Sequence, residues 1–386
     1  MGETGRRLAA ALDELDERAL TRERRILEGP QGPRVRIAGR ELANFASNDY
    51  LSLAGNPRLR EAAHRAIDTY GFGSGASPLV CGHSAAHEAA EQRFAGFVGL
   101  PRALLFSSGY AANLGILASL AQRDSEIFSD ALNHACLIDG ARLSRAQVTT
   151  YRHADLADLE AKLAASRAAE RIVATDAVFS MDGDLAPLPH ILELCERYDA
   201  WLVVDDAHGI GVMGARGRGS LEHFGLASPR IVLMATLGKA LGGYGAFAAG
   251  EPDAIEWLLQ RARTYIYSTA LPPMAAAVAV EAMAIVESEP QRLATLRERI
   301  GELREALRGL GVDDTSPSAV HPLMLGANAD ALFASESLRE RGFLVPAIRP
   351  PTVPQGTARL RISLAAGHTA RDIEGLAAAL AGCLAR

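Results

Sequence analysis

The sequence predicts an α/β protein: a large domain with a mostly parallel sheet between helices, and a smaller α+β domain at the C-terminal end. Three observations predict it. Short runs rich in Val, Ile and Leu alternate with helical segments, the pattern of βαβ units. Those runs are continuously apolar, as expected of strands covered on both faces. Near residues 285–290 the pattern changes to a charged amphipathic helix followed by isolated strands. A chain of 386 residues has room for two or three domains. We place an N-terminal helix and hairpin arm over 1–45, a large domain over 46–280 and a small C-terminal domain over 281–386.

Residues 8–28 predict one helix, because Leu8, Leu12, Leu15, Ala19 and Ile26 fall near helical spacing before Gly29-Pro30 and Gly32-Pro33 break it. VRIAGREL (35–42) predicts a short hairpin around Gly39. Asn56-Pro57 marks a helix start, since Asn accepts from free N–H groups and Pro suits the first turn. GFGSGASPLVCGHS (71–84) is a glycine- and serine-rich loop, and the helix after it ends at Gly99. ALLFS (103–107), RIVATD (171–176), WLVVD (201–205) and IVLMAT (231–236) are the strand runs, with AANLGILASLAQ and PHILELCERYD (189–199) as helices between them. LATLRERIGELREALRGLG (293–311) is the amphipathic helix, and HPLMLG and ARLRISL are strands of the small domain.

Charge and composition exclude several functions. The 40 basic and 46 acidic residues are interspersed, without the basic stripe of a nucleic-acid partner. No segment offers the roughly 18 uncharged apolar residues a membrane span needs. The N-terminus is too charged for a signal-peptide core, and four scattered cysteines without a CxxC pair give neither a zinc ribbon nor a disulfide framework. A cytoplasmic location is expected.

In an open parallel sheet, ligands bind at the C-terminal ends of strands. ALLFS leads into Ser108-Gly109-Tyr110, which opens a helix; this is either a tight strand-to-helix turn or a phosphate cradle. RIVATD leads into the polar stretch Ala177–Asp184, a structural turn or part of a site. WLVV leads into Asp205 and Asp206, carboxylates that need partners if buried, with His208 close by. IVLMAT leads into Lys239 among glycines and small apolar residues, where a lysine loses its proton readily and becomes nucleophilic. A phosphate cradle, an acid, a histidine and a poised lysine together suit pyridoxal phosphate (PLP). A Walker site fails because Ala240 follows Lys239. GFGSGA lacks the Rossmann spacing, no GxSxG occurs, and HEAAE lacks the second histidine of HExxH, so no metal is expected.

The segments NFASNDYLSL, GFGSGAS, SSGYAAN, DALNHACLIDGARLS, VFSMDGDLAPL, LVVDDAHGIGVMGARGRGS, TLGKALG, YIYSTALPP and AIRPPTVPQGTARLRISL occur in order over residues 44–364. In them the chain resembles the α-oxoamine synthases, a PLP-dependent transferase group of fold type I. The resemblance implies that Lys239 is the Schiff-base lysine, Asp205 the acid on the ring nitrogen, His208 the partner of the ring hydroxyl and His134 the residue stacked on the ring. It implies cofactor contacts from Ser180, Gly109, Tyr110 and Thr236. Ser268 and Thr269 correspond to residues that reach a neighbouring subunit's phosphate, which implies a homodimer with shared active sites. Arg361 and Asn48 correspond to residues that hold the amino acid's carboxylate, and Arg22 and Thr352 to acyl-substrate positions. AIRPPTVPQGTARLRISL favours the branch joining L-alanine to pimeloyl-CoA or pimeloyl carrier protein, in biotin biosynthesis. Siblings that use glycine or serine with another acyl-CoA are the alternative.

Overall fold

The computed structural model describes residues 3–384. Its strands, in chain order, are β1 Arg34–Ile37, β2 Arg40–Asn44, β3 Arg102–Phe106, β4 Ser125–Asp130, β5 Gln147–Tyr151, β6 Glu170–Asp176 and β7 Ala200–Asp205. They continue as β8 Ile231–Thr236, β9 Ala246–Gly250, β10 Val320–Gly326, β11 Phe343–Leu344, β12 Ala347–Ile348 and β13 Ala358–Ser363. The chain divides into two compact units: one of Asp49–Ser180 and Asp184–Leu296, the other of residues up to Asn48, Met181–Gly183 and those from Arg297 on.

The larger unit is built on a seven-stranded sheet in the order β3-β9-β8-β7-β6-β4-β5. β5, β4, β6, β7 and β8 run parallel, and β9 is antiparallel to both of its neighbours. Side chains alternate between two covered faces. Ala246 and Ala248 join a core with Ile116 and Leu117 of helix Gly109–Leu120 and Ile255 and Leu258 of helix Pro252–Arg261. Phe247, between them in sequence, points to the other face and stacks on Phe94 of helix Ala85–Val98 at 4.7 Å. Every residue of β8 is buried. Each such Val, Leu or Ile contributes about 1.5–3 kcal/mol by leaving water, which explains the unbroken apolar runs.

The smaller unit holds an antiparallel sheet, β10-β13-β12, with helices Asn328–Glu340 and Ala370–Leu384 packed together beside it. Hairpin β1–β2 turns at Gly39, whose φ of +71° suits glycine, and β2 pairs in parallel with β11. His368 stacks on Phe45 at 4.2 Å and lies 3.0 Å from the Asn44 carbonyl; burial pushes its pKa down to about 4, against the opposing pull of that carbonyl.

The structure differs from the sequence reading in four places. The helix expected over 8–28 is only Glu3–Glu17; Ala19 turns with φ +53° and Ile26 is 79% exposed. None of that helix's side chains is buried, so no packed face extends it, although packing sustains most helices. β4, β5, β9, β11 and β12 escape the reading, β9 because AFAAG carries little β-branched character. The expected boundary at 280/281 falls inside helix Pro273–Ser288, which packs on helices Pro57–Tyr70 and Ala85–Val98, so the division comes at 296/297. The arm is not separate either, because β2 pairs with β11 of the smaller unit.

Candidate active site

Asp176, Asp205 and Thr236 end the parallel neighbours β6, β7 and β8. The register pairs Asp176 with Asp205 and Asp205 with Met234. After β7 the chain turns: the N–H groups of Gly209 and Ile210 both donate to the Asp206 carbonyl, which holds His208 in the bend. After β8 a second turn forms, in which Gly242 N donates to the Lys239 carbonyl at 2.9 Å and Gly243 N to the Leu237 carbonyl at 2.8 Å. These two turns bring Lys239 Nζ to 2.9 Å from His208 Nε2. The other ring nitrogen, His208 Nδ1, lies 2.6 Å from the hydroxyl of Tyr50. Both Tyr50 and His208 are buried, while Lys239 is half-buried.

Asp205 is buried with its carboxylate tied down. It accepts from Asn113 Nδ2 at 2.6 Å and from the Ala207 N–H at 2.9 Å. Asp176 accepts from the His134 N–H at 2.6 Å. Burial, reinforced by the nearby charge of Asp205, pushes the Asp176 pKa well up, so this second acid holds its proton more firmly. Burial also pushes His134 down, which favours a neutral imidazole; its Nδ1 lies 2.8 Å from Cys136 Sγ. The Cys136 thiol is pushed up by burial and by Asp205. Asp206 is buried against Ser220, whose backbone N–H donates to it at 2.9 Å, and burial raises it to about 7.

Ser108 caps helix Gly109–Leu120, its hydroxyl accepting from Ala111 N at 3.1 Å. A Cβ on Gly109 would sit 3.6 Å from Met234 Sδ and 3.8 Å from Thr236 Cβ, so this helix start approaches the end of β8 closely. The Thr236 hydroxyl accepts from Gly238 N and donates to the Gly245 carbonyl. Tyr110 is partly exposed, its hydroxyl donating to Asp139 at 2.5 Å. Ser180 is half-buried beyond β6. Ser268 and Thr269 line a separate cavity of about 20 Å³ with His87 and Glu91.

The remaining candidates belong to the smaller unit. Arg361, on β13, is 4% exposed and donates to Asn48 Oδ1 at 3.0 Å and to the Ser363 hydroxyl at 2.7 Å. Arg22 and Thr352 are exposed and line a cavity of about 490 Å³ with Leu20, Pro346 and Arg349. Arg349 donates to the carbonyls of Ala19 and Thr21, fixing one wall of it.

Three contributors escaped the sequence reading: Tyr50, Asn113 and Asp176. Asp176 had a readable signal, since it ends RIVATD as Asp205 ends WLVVD. Tyr50 and Asn113 lie inside quoted segments, but nothing local shows that they meet residues 158 and 92 positions away.

The donor set fits a phosphorylated pyridine aldehyde: a primary amine, a buried fixed carboxylate for a ring nitrogen, imidazoles, and a helix N-terminus beside a threonine hydroxyl. Residues 40–380 match the family described as aminotransferase class I and II. The chain is 57% identical to the 8-amino-7-oxononanoate synthase of Methylococcus capsulatus, over 97% of each chain. It is 53% identical to that of Dechloromonas aromatica, over 97% of this chain and 98% of the relative. Among solved structures, serine palmitoyltransferase from S. paucimobilis with a bound PLP-myriocin aldimine superposes with a TM-score of 0.92 at 27% identity, covering 97% of this chain and 96% of that one. The 8-amino-7-oxononanoate synthase of Francisella tularensis gives a TM-score of 0.78 at 31% identity, covering 88% and 97%. The chain therefore belongs to the aminotransferase class I and II family and, within it, to the 8-amino-7-oxononanoate synthases.

Proposed function

We propose that the protein condenses L-alanine with pimeloyl-CoA or pimeloyl carrier protein, releasing CO2 and the thiol and forming 8-amino-7-oxononanoate for biotin biosynthesis, with PLP as cofactor. The observation that carries the reading is the contact of Lys239 Nζ with His208 Nε2 at 2.9 Å, beyond a strand that ends in the fixed carboxylate of Asp205. PLP, when bound, supplies a ring that accepts the electron pair released at the amino acid's Cα.

This chain's residues do the rest. Lys239 would hold the cofactor through Nζ, and the same amine would take the amino acid's Cα proton. Asp205, anchored by Asn113 and Ala207, keeps a proton on the ring nitrogen, which stabilises charge where it develops. His208 would bond the ring hydroxyl, His134 would stack on the ring, and Ser180 would add a polar contact. The N–H groups at Gly109 and Tyr110 and the hydroxyl of Thr236 receive the phosphate. Ser268 and Thr269 reach the phosphate of a second subunit, so the working form is a homodimer; we place it in the cytoplasm. No helix among the described residues is long and apolar enough to cross a membrane. Arg361, with Asn48, holds the alanine carboxylate in a bidentate fork. Arg22 and Thr352 meet the acyl substrate, and the cavity they line is large enough for a small-molecule chain.

The test is purified protein with PLP, offered L-alanine, glycine or L-serine against pimeloyl-, acetyl-, succinyl- and palmitoyl-CoA, with thiol and CO2 release measured. Alanine with the pimeloyl thioester should exceed every other pair by at least about tenfold in kcat/KM. Faster turnover with glycine or serine would assign the chain to a sibling reaction.

A further inference from the structure

We propose that Tyr50 is a positioning residue for the reaction: it orients the His208 ring, whose Nε2 faces Lys239 here and would face the cofactor's ring hydroxyl in the loaded enzyme. The proposal rests on Lys239 and His208 being the working pair described above. Tyr50 is wholly buried, its hydroxyl 2.6 Å from His208 Nδ1, while His208 Nε2 lies 2.9 Å from Lys239 Nζ. Phenol, imidazole and amine thus form one continuous chain.

A neutral imidazole donates from one nitrogen and accepts at the other. When Lys239 is an ammonium it donates to Nε2, the ring proton sits on Nδ1, and that N–H donates to the Tyr50 oxygen. When Lys239 is an uncharged amine the order reverses: Nε2–H donates to Nζ, and the Tyr50 hydroxyl donates to Nδ1. The two states differ by the single proton lost from the amine. A phenol hydroxyl serves both because it can donate and accept. Phenylalanine serves neither and leaves a buried ring nitrogen without its bond, so both arrangements lose their orientation.

The backbone is built to hold this contact. The Asp49 carboxylate accepts from Leu53 N at 2.8 Å and Ala54 N at 3.1 Å, pinning the turn that carries Tyr50. A Cβ on Gly242, three residues after Lys239, would lie 2.4 Å from Ala54 N. A Cβ on Gly211, three residues after His208, would lie 2.6 Å from the Ala240 side chain and 3.3 Å from that of Leu51. Both catalytic turns therefore carry a glycine where the Tyr50 turn and its neighbours crowd in, and both glycines have positive φ, +63° and +80°.

Tyr50→Phe keeps the ring and removes the hydroxyl. In apoprotein labelled at the histidine ring nitrogens, the His208 signals, identified by their loss in His208→Asn, should shift as the tautomer balance changes. Unchanged His208 nitrogens would overturn the proposal, whatever reaction the enzyme runs. In the holoenzyme, kcat should fall about tenfold with KM for the amino acid within about twofold. Adding Tyr50→Phe to His208→Asn should cost nothing further, because the two act as one unit; additive losses would mean Tyr50 merely packs. Should Tyr50→Phe not fold, 3-fluorotyrosine incorporation, which acidifies the phenol, must shift the same His208 nitrogens, and no shift there overturns the proposal equally.

Discussion

Asp176, Asp205 and Asp206 in the larger unit are 2%, 3% and 0% exposed, whereas Arg22 and Thr352 in the smaller unit stand in solvent on the wall of a cavity. The buried acids carry fixed donors: Asn113 and Ala207 for Asp205, the His134 N–H for Asp176, Ser220 for Asp206. A buried carboxylate without such donors would cost several kcal/mol, so each position is over-determined by its surroundings. An exposed arginine carries no such constraint and can follow its ligand. On the function proposed above, the buried groups set the chemistry and the exposed ones the fit. Removing a buried member should damage cofactor attachment or the chemical step, while removing an exposed one should move KM.

The largest effect belongs to Lys239→Ala. It should abolish the borohydride-stable attachment of PLP and its visible absorbance, and lower turnover by on the order of 10⁴-fold, with the circular dichroism spectrum unchanged. A retained reducible adduct would place the attachment on another residue. Asp205→Asn comes next. It should still bind PLP but lose α-proton exchange into deuterated solvent by about 10²–10³-fold, the scale of one preorganised electrostatic group; wild-type exchange would remove the electron-sink role from this acid.

How the two units differ in legibility has a physical cause. Lys239, Asp205 and His208 stand out in the sequence because each follows an apolar run that had to be a buried strand, and a polar residue at such an end needs a reason. The strands RIVATD, WLVVD and IVLMAT could be read for the same reason. SEIFSD could not, since its buried Ser125, Glu126 and Ser129 look like solvated positions until the fold covers them. The spacing over 8–28 predicts more helix than forms because the apolar residues have no surface to pack on. Tyr50 and Asn113 were invisible because their roles are made by long-range contacts, which no local pattern encodes. Arg361 was reached only through resemblance; on β13 it is one polar residue in an alternating strand.

Gly242→Ala sharpens the comparison by testing whether the larger unit tolerates looseness. Its Cβ would overlap Ala54 N and Leu53, at a φ of +63°. Urea unfolding should show a loss of about 2–3 kcal/mol from strain and overpacking together. A loss under about 0.5 kcal/mol would mean the turn carrying Tyr50 is free to move.

Asp206 gives a smaller, pH-dependent effect. Its folded value near 7 lies above the ordinary 3.8 because burial disfavours the charged form. Between those values the folded state binds the proton and the unfolded state does not. The group's contribution is therefore present in full at low pH and is lost as pH rises from about 4 to 7, by at most about 1.4 kcal/mol per pH unit. Asparagine cannot titrate and preserves both contacts to Ser220. The stability of Asp206→Asn relative to the parent should rise across that range; a constant difference would show that Asp206 titrates alike in the folded and unfolded chain.

Arg22→Ala is expected to do least, and its pattern is what matters. Arg22 is exposed and lines the cavity proposed for the acyl substrate, so its attraction for an anionic thioester is screened by water. Such an attraction acts equally on the bound ground state and the transition state. KM for pimeloyl-CoA should therefore rise about three- to tenfold while kcat and the KM for alanine hold steady, and the loss should shrink at high salt. A fall in kcat with KM unchanged would place Arg22 among the groups that act on the reacting atoms, and would erase the division between a buried unit that does chemistry and an exposed cavity that selects the chain.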